Sequence, residues 1–101
     1  MHVIVSTLEL DVPAAQIAEA FERDCVPLLQ SCEGFGGALM LDVGDGACTF
    51  VINWDTEEQT QRWINEVGPT WFGPTVVPHL RSQDRRVGNA LIRVKPAPAV
   101  G

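Results

Sequence analysis

From His2 to Leu10 the chain alternates Val3, Val5 and Thr7 against Ile4, Ser6 and Leu8. Apolar side chains fall on both sides, so the pattern predicts a strand that needs cover on both faces. Asp11 and Pro13 suit a helix start, and Ile17, Ala18, Phe21, Cys25, Leu28, Leu29 and Cys32 then recur at three- and four-residue steps. On the outer side of this helix Glu19 and Arg23 stand in the favourable order for an ion pair. Pro27 lies inside it and predicts a break near Arg23, whose carbonyl loses its partner. After Glu33-Gly34 the stretch Phe35 to Val43 predicts a second strand, with Gly36 and Gly37 marking a bulge or a close backbone approach.

Ala47 to Trp54 reads as the central strand, with Cys48, Phe50, Ile52 and Trp54 on one face and Thr49, Val51 and Asn53 on the other. The turn Gly44-Asp45-Gly46 joins it to the second strand as an antiparallel hairpin. Two overlapping capping boxes, Asp55 with Glu58 and Thr56 with Gln59, open a second helix, which carries Trp63, Ile64 and Val67 as its apolar stripe. Gly68-Pro69 is expected to end that helix, leaving Thr70 to Leu80 as an ordered apolar loop. Val87 to Val94 is the expected last strand.

The resulting order is strand, helix, strand, strand, helix, strand. It predicts an α+β, ferredoxin-like βαββαβ domain over residues 1–95, with a four-stranded antiparallel sheet and a flexible Pro/Ala tail over 96–101. Two helices cover only one face of such a sheet. The apolar second face therefore predicts a homodimer.

Composition narrows the partners. Seven Lys and Arg against thirteen Asp and Glu give a net charge of −6, and a surface this acidic does not suit nucleic acid or a polyanionic substrate. The apolar runs fall short of the ~20 residues of a membrane helix, and no secretion signal opens the chain. A cytoplasmic location is the expectation. Cys25, Cys32 and Cys48 have no metal spacing and read as core thiols in a reducing compartment.

Three stretches carry a family resemblance. The first strand finishing around Pro13, the Glu33-Gly34-Phe35-x-Gly37 junction and the Trp54-Asp55-x-Glu57-Glu58 step resemble the antibiotic biosynthesis monooxygenase family of dimeric alpha/beta barrels. The likeness spans residues 2 to 95. It implies a dimer whose sheets face each other, with a pocket in each subunit between sheet and helices. Characterised relatives include cofactor-free oxygenases that make quinones from phenolic polyketides or quinols, and haem-binding or haem-degrading enzymes. Trp54 matches a tryptophan of the quinone-forming oxygenases, although Phe50 and Thr60 stand where those have asparagine and tyrosine. Trp63 matches a tryptophan of the haem degraders, whose asparagine and histidine are replaced here by Thr7 and Phe72.

The leading expectation is a cofactor-independent monooxygenase that uses dioxygen on a flat phenol, quinol or anthrone. His79 is the candidate base, since imidazole titrates near neutrality. Asn53 or Thr7 is the candidate hydrogen-bond donor to a developing oxyanion, Trp63 is a further catalytic candidate in the aromatic pocket, and one of the tryptophans is a candidate electron relay. Trp54, Trp71 and Phe72 are candidates for the substrate pocket, the last two as a lid or as a flap at the dimer. The alternatives are a haem protein with His79 as axial ligand, and a non-catalytic binding or stress-response dimer.

Overall fold

In a computed structural model, which describes residues 1–98, one antiparallel sheet carries two interrupted helices on a single face. The strands are β1 (His2–Leu10), β2 (Phe35–Gly44), β3 (Ala47–Trp54) and β4 (Leu80–Asn89). Their spatial order is β2-β3-β1-β4, the ferredoxin-like order expected. β1 pairs with β3 through Ile4↔Ile52 and Ser6↔Phe50, and with β4 through Ile4↔Val87 and Ser6↔Arg85. The glycines at 36 and 37 do mark a bulge, because the β2–β3 register shifts between Phe35 and Gly37. The hairpin turn runs through positive φ at Gly44, Asp45 and Gly46.

Alternation divides the sheet. Ile4, Leu8 and Leu10 of β1 and Cys48, Phe50, Ile52 and Trp54 of β3 are buried beneath the helices. Val5, Leu39, Leu41 and Val43 lie on the opposite face and are exposed, Leu39 at 62%.

Each helix is split by a single π-turn that ends one residue before an X-Pro step. The first runs α1 (Ala14–Ala20), a π-turn (Phe21–Cys25) and α2 (Val26–Gln30), and the second runs α3 (Glu57–Arg62), a π-turn (Trp63–Val67) and α4 (Gly68–Thr75). The amide of Val26 bonds the carbonyl of Phe21, and the amide of Gly68 bonds that of Trp63, both one residue longer than an α-helical bond. Pro27 and Pro69 then stand at the start of a fresh α-segment, where a missing N–H costs little. The break expected near Arg23 is therefore a π-turn. It rephases the helix, and Arg23 pairs with Asp24 at 2.9 Å rather than with Glu19.

Three expectations need correction. Gly68-Pro69 does not end the second helix, because the π-turn lets the chain resume; Thr70 to Leu80 is helical to Thr75, then a 3₁₀ turn at Val77–His79. Of the two capping boxes only Thr56 with Gln59 forms, at 3.3 and 3.1 Å. The last strand lies at Leu80–Asn89 rather than 87–94. The ladder ends at His2↔Asn89 and Ala90 N–H to Met1 O, so Leu91, Ile92 and Val94 have no neighbouring strand and stay exposed. Residues 99–101 of the expected tail lie outside the described residues.

Candidate functional site

A cavity of about 290 Å³ opens between the second helix and the sheet, at the lower end of the ~300–1,000 Å³ of small-molecule sites. Its helical wall is built by the two π-turns and α4. Phe21 and Cys25 come from the first π-turn, Trp63 and Ile64 from the second, and Gly68, Trp71 and Phe72 from α4. Ile64, Gly68, Trp71 and Phe72 stand at i, i+4, i+7 and i+8, the steps that keep side chains on one helix face.

Aromatic rings pack this wall in two clusters. Phe21 meets Phe50 at 5.0 Å and Trp71 at 5.7 Å, while Trp54 meets Trp63 at 5.7 Å and Phe35 at 5.8 Å. All five centroid separations, with 6.5 Å for Phe50 and Trp71, lie in the range of favourable tilted and edge contacts. Gly68 is required where it stands. A Cβ there would lie 2.9 Å from the Trp63 carbonyl oxygen and 3.2 Å from the indole nitrogen.

The sheet supplies the floor, Ile4, Phe50 and Ile52, and one polar side made of Ser6, Gln83 and Arg85. Arg85 lies directly across from Ser6 in the β1–β4 register, and Gln83 is two residues away on the same face of β4. Sequence reasoning missed these three as site residues. The signal for the two β4 residues was present as period-two alternation from Gln83 through Arg85 to Val87, but a last strand expected only from Val87 onward left Gln83 and Arg85 outside any element.

The structure brings Trp63, Trp71 and Phe72 to the cavity. Trp71 and Phe72 belong to a helical wall and not to a loop. Four other candidates do not reach it. Trp54, 1% exposed, plugs the end of the sheet between Phe35 and Trp63. Thr7 and Asn53 point to the opposite face, being odd-numbered neighbours of the buried Ser6, Leu8, Ile52 and Trp54. Thr7 there shares a 3.2 Å hydrogen bond with Thr49 across the strands. His79 closes the 3₁₀ turn, donates from Nδ1 to Asp11 Oδ1 at 3.1 Å, and borders a separate polar groove with Gln16, Glu19 and Arg23.

Ionisable chemistry inside the cavity is sparse. Among the described residues its lining holds no carboxylate and no imidazole; Arg85 carries its one permanent charge and Cys25 its one thiol. Burial, with a smaller push from Cys32, raises the Cys25 thiol to about 12. It stays protonated at neutral pH and does not act as a nucleophile there.

No family model matches this chain. No curated protein matches it either. Solved structures do match over nearly its whole length, and antibiotic biosynthesis monooxygenase-type proteins are among them. SnoaB, a cofactor-independent oxygenase from Streptomyces nogalater, superposes with a TM-score of 0.77 at 12% identity, covering 94% of this chain and 97% of its own. ActVA-Orf6, a monooxygenase of Streptomyces coelicolor bound to nanaomycin D, gives 0.73 at 18% identity over 95% and 92%. MhuD, a haem degrader of Mycobacterium tuberculosis with two haems in its active site, gives 0.66 at 20% identity over 94% and 100%. The chain has their fold.

Haem is the cofactor this fold brings into question, and the donor set does not fit it. Axial ligation needs an imidazole, a thiolate, a thioether or a phenolate. The cavity offers only the protonated Cys25 thiol, and the sequence has no tyrosine. Both histidines are engaged elsewhere, His2 with Thr60 at 2.7 Å and His79 with Asp11. Among the described residues no helix is long and apolar enough to cross a membrane, and no group of three or more His, Cys, Asp and Glu side chains is placed to hold a metal.

Proposed function

We propose that this protein is a monooxygenase that oxidises a flat, electron-rich phenol, quinol or anthrone with dioxygen, without a metal or organic cofactor, in the cavity beneath its second helix. The observation that carries this reading is the cavity itself: an aromatic slot of Phe21, Phe50, Trp63, Trp71 and Phe72 with hydroxyl, amide and guanidinium groups on one side only. The fold shared with SnoaB and ActVA-Orf6 supports it.

The chemistry is within reach of such a site. An anthrone anion gives an electron to dioxygen directly, and the two radicals then combine. The ring CH₂ becomes a carbonyl that keeps one oxygen atom, and the other oxygen leaves as water with the two hydrogens. The protein contributes a dry slot that orients the ring and excludes competing water. Ser6, nine-tenths buried in the floor, donates a hydrogen bond to the ring oxygen as its negative charge develops. With no carboxylate or imidazole in the lining, the substrate proton leaves to solvent. Activity is therefore expected to rise with pH along the substrate's own ionisation and to be indifferent to His79→Ala.

The working form is a homodimer. Val5, Leu39, Leu41 and Val43 form an exposed apolar face on the side of the sheet away from the cavity, and a second copy with the same face is its simplest cover.

Dioxygen uptake by purified, metal-stripped protein with a panel of anthrones and quinols tests the reaction. Uptake above the buffer rate that falls at least about tenfold in Ser6→Ala, and falls also in Phe72→Ala, is the expected result. Uptake that is unchanged in both variants would place the chemistry elsewhere.

A further inference from the structure

We infer that the cavity selects substrates bearing a carboxylate, which Arg85 binds with the help of Gln83. The inference rests on the aromatic-slot reading and adds the class of substrate.

Strand alternation sorts the charges of β4. Asp84 and Arg86 fall on the open face and pair with each other at 3.2 Å, while Gln83 and Arg85 fall on the helix face and line the cavity. Arg23 and Arg62 hold carboxylates too, at 2.9 and 3.3 Å. Arg85 has no such partner among the described residues. Arg81, Arg93 and Lys95 make no ion pair there either, but of the four only Arg85 lines the cavity, and among the described residues no Asp or Glu lines it with Arg85. A guanidinium is always charged, and low-dielectric aromatic walls concentrate its field on whatever enters the slot.

The arrangement is amphiphilic in one direction. Rings from the second helix form one side, and Ser6, Arg85 and Gln83 form the other. A ligand that fits is flat and apolar with a single anionic group at its β4 end. Arg85 is exposed, at the rim, and Ser6 is buried, in the floor. The anion therefore sits at the mouth, and the ring oxygen that reacts sits deeper. A planar carboxylate matches the two-pronged donor of one guanidinium, and the Gln83 amide adds a third donor. A phosphate monoester, with nearly two charges, would be left half compensated.

The test is calorimetric titration of the whole protein with 2-naphthoate, 2-naphthamide and 2-naphthyl phosphate. Wild type is expected to bind the carboxylate about tenfold or more tighter than the amide, the scale of one charge-assisted hydrogen bond. Arg85→Gln is expected to erase that preference, weakening naphthoate about tenfold more than naphthamide, and Arg85→Lys to restore part of it. Equal binding of carboxylate and amide by wild type, or a preference that survives in Arg85→Gln, overturns the carboxylate subsite while the aromatic slot stands. Tighter binding of the phosphate overturns the choice of carboxylate. Failure of all three to bind overturns the slot and the subsite together.

Discussion

At the scale of single residues, the cavity is set by side chains that are dry rather than reactive. Cys25 is 1% exposed, and burial holds its thiol near 12 against an ordinary value of 9.0. Burial and then Asp42 also push the Cys48 thiol up. The native protein keeps these protons at a pH where the unfolded chain has lost them. Stability is therefore full below about pH 9 and falls as pH rises toward about 12 for Cys25, by up to about 1.4 kcal/mol per pH unit for each thiol. Urea unfolding between pH 8 and pH 11 is expected to show that decline, with a shallower slope in Cys25→Ala. The sequence marked Cys25 as a core thiol, and it marked Trp63 as inward-facing. It could not separate Thr7 and Asn53 from the site, because both strand faces read as apolar, and which one the helices cover is decided by packing.

At the scale of elements, the two π-turns shape the site. Gly68 lies where the second π-turn hands over to α4, and its amide bonds the Trp63 carbonyl. Gly→Ala in a helix ordinarily stabilises by about 0.5–1 kcal/mol. Here the new methyl meets that carbonyl at 2.9 Å, so Gly68→Ala is expected instead to destabilise by about 1–3 kcal/mol, read as a lower urea midpoint. A stabilised variant would mean that the helix can relax away from Trp63. This element was only half legible. Pro27 announced a break, and the Thr56–Gln59 cap announced the helix start. Gly68-Pro69 reads as a stop because glycine followed by proline ordinarily ends a helix, and nothing in the residue pattern announces the π-turn that lets the chain resume. β4 was hidden differently: an edge strand rich in Arg and Asp protects its free edge with charge, and that charge looks like a loop.

At the scale of the molecule, the sheet separates two tasks. Its helix side holds the cavity, and its open side carries the exposed Val5, Leu39, Leu41 and Val43. The proposed dimer is checked by sedimentation equilibrium at micromolar concentration: a dimer is expected for the protein and a monomer for Leu39→Glu, which would bury an unpaired charge. The order of elements, and with it the ferredoxin-like sheet, was legible from hydrophobic period alone. The polar side of the cavity was not, since Ser6 and Arg85 are 79 residues apart and meet only through the β1–β4 ladder. The most direct test of this division of labour is a crystal structure grown anaerobically with anthrone. The account predicts the ring against Trp63, Trp71 and Phe72 with its oxygen within hydrogen-bonding distance of Ser6 Oγ. An anthrone lying on the open face against Leu39 and Val51, or in the groove beside His79, would contradict it.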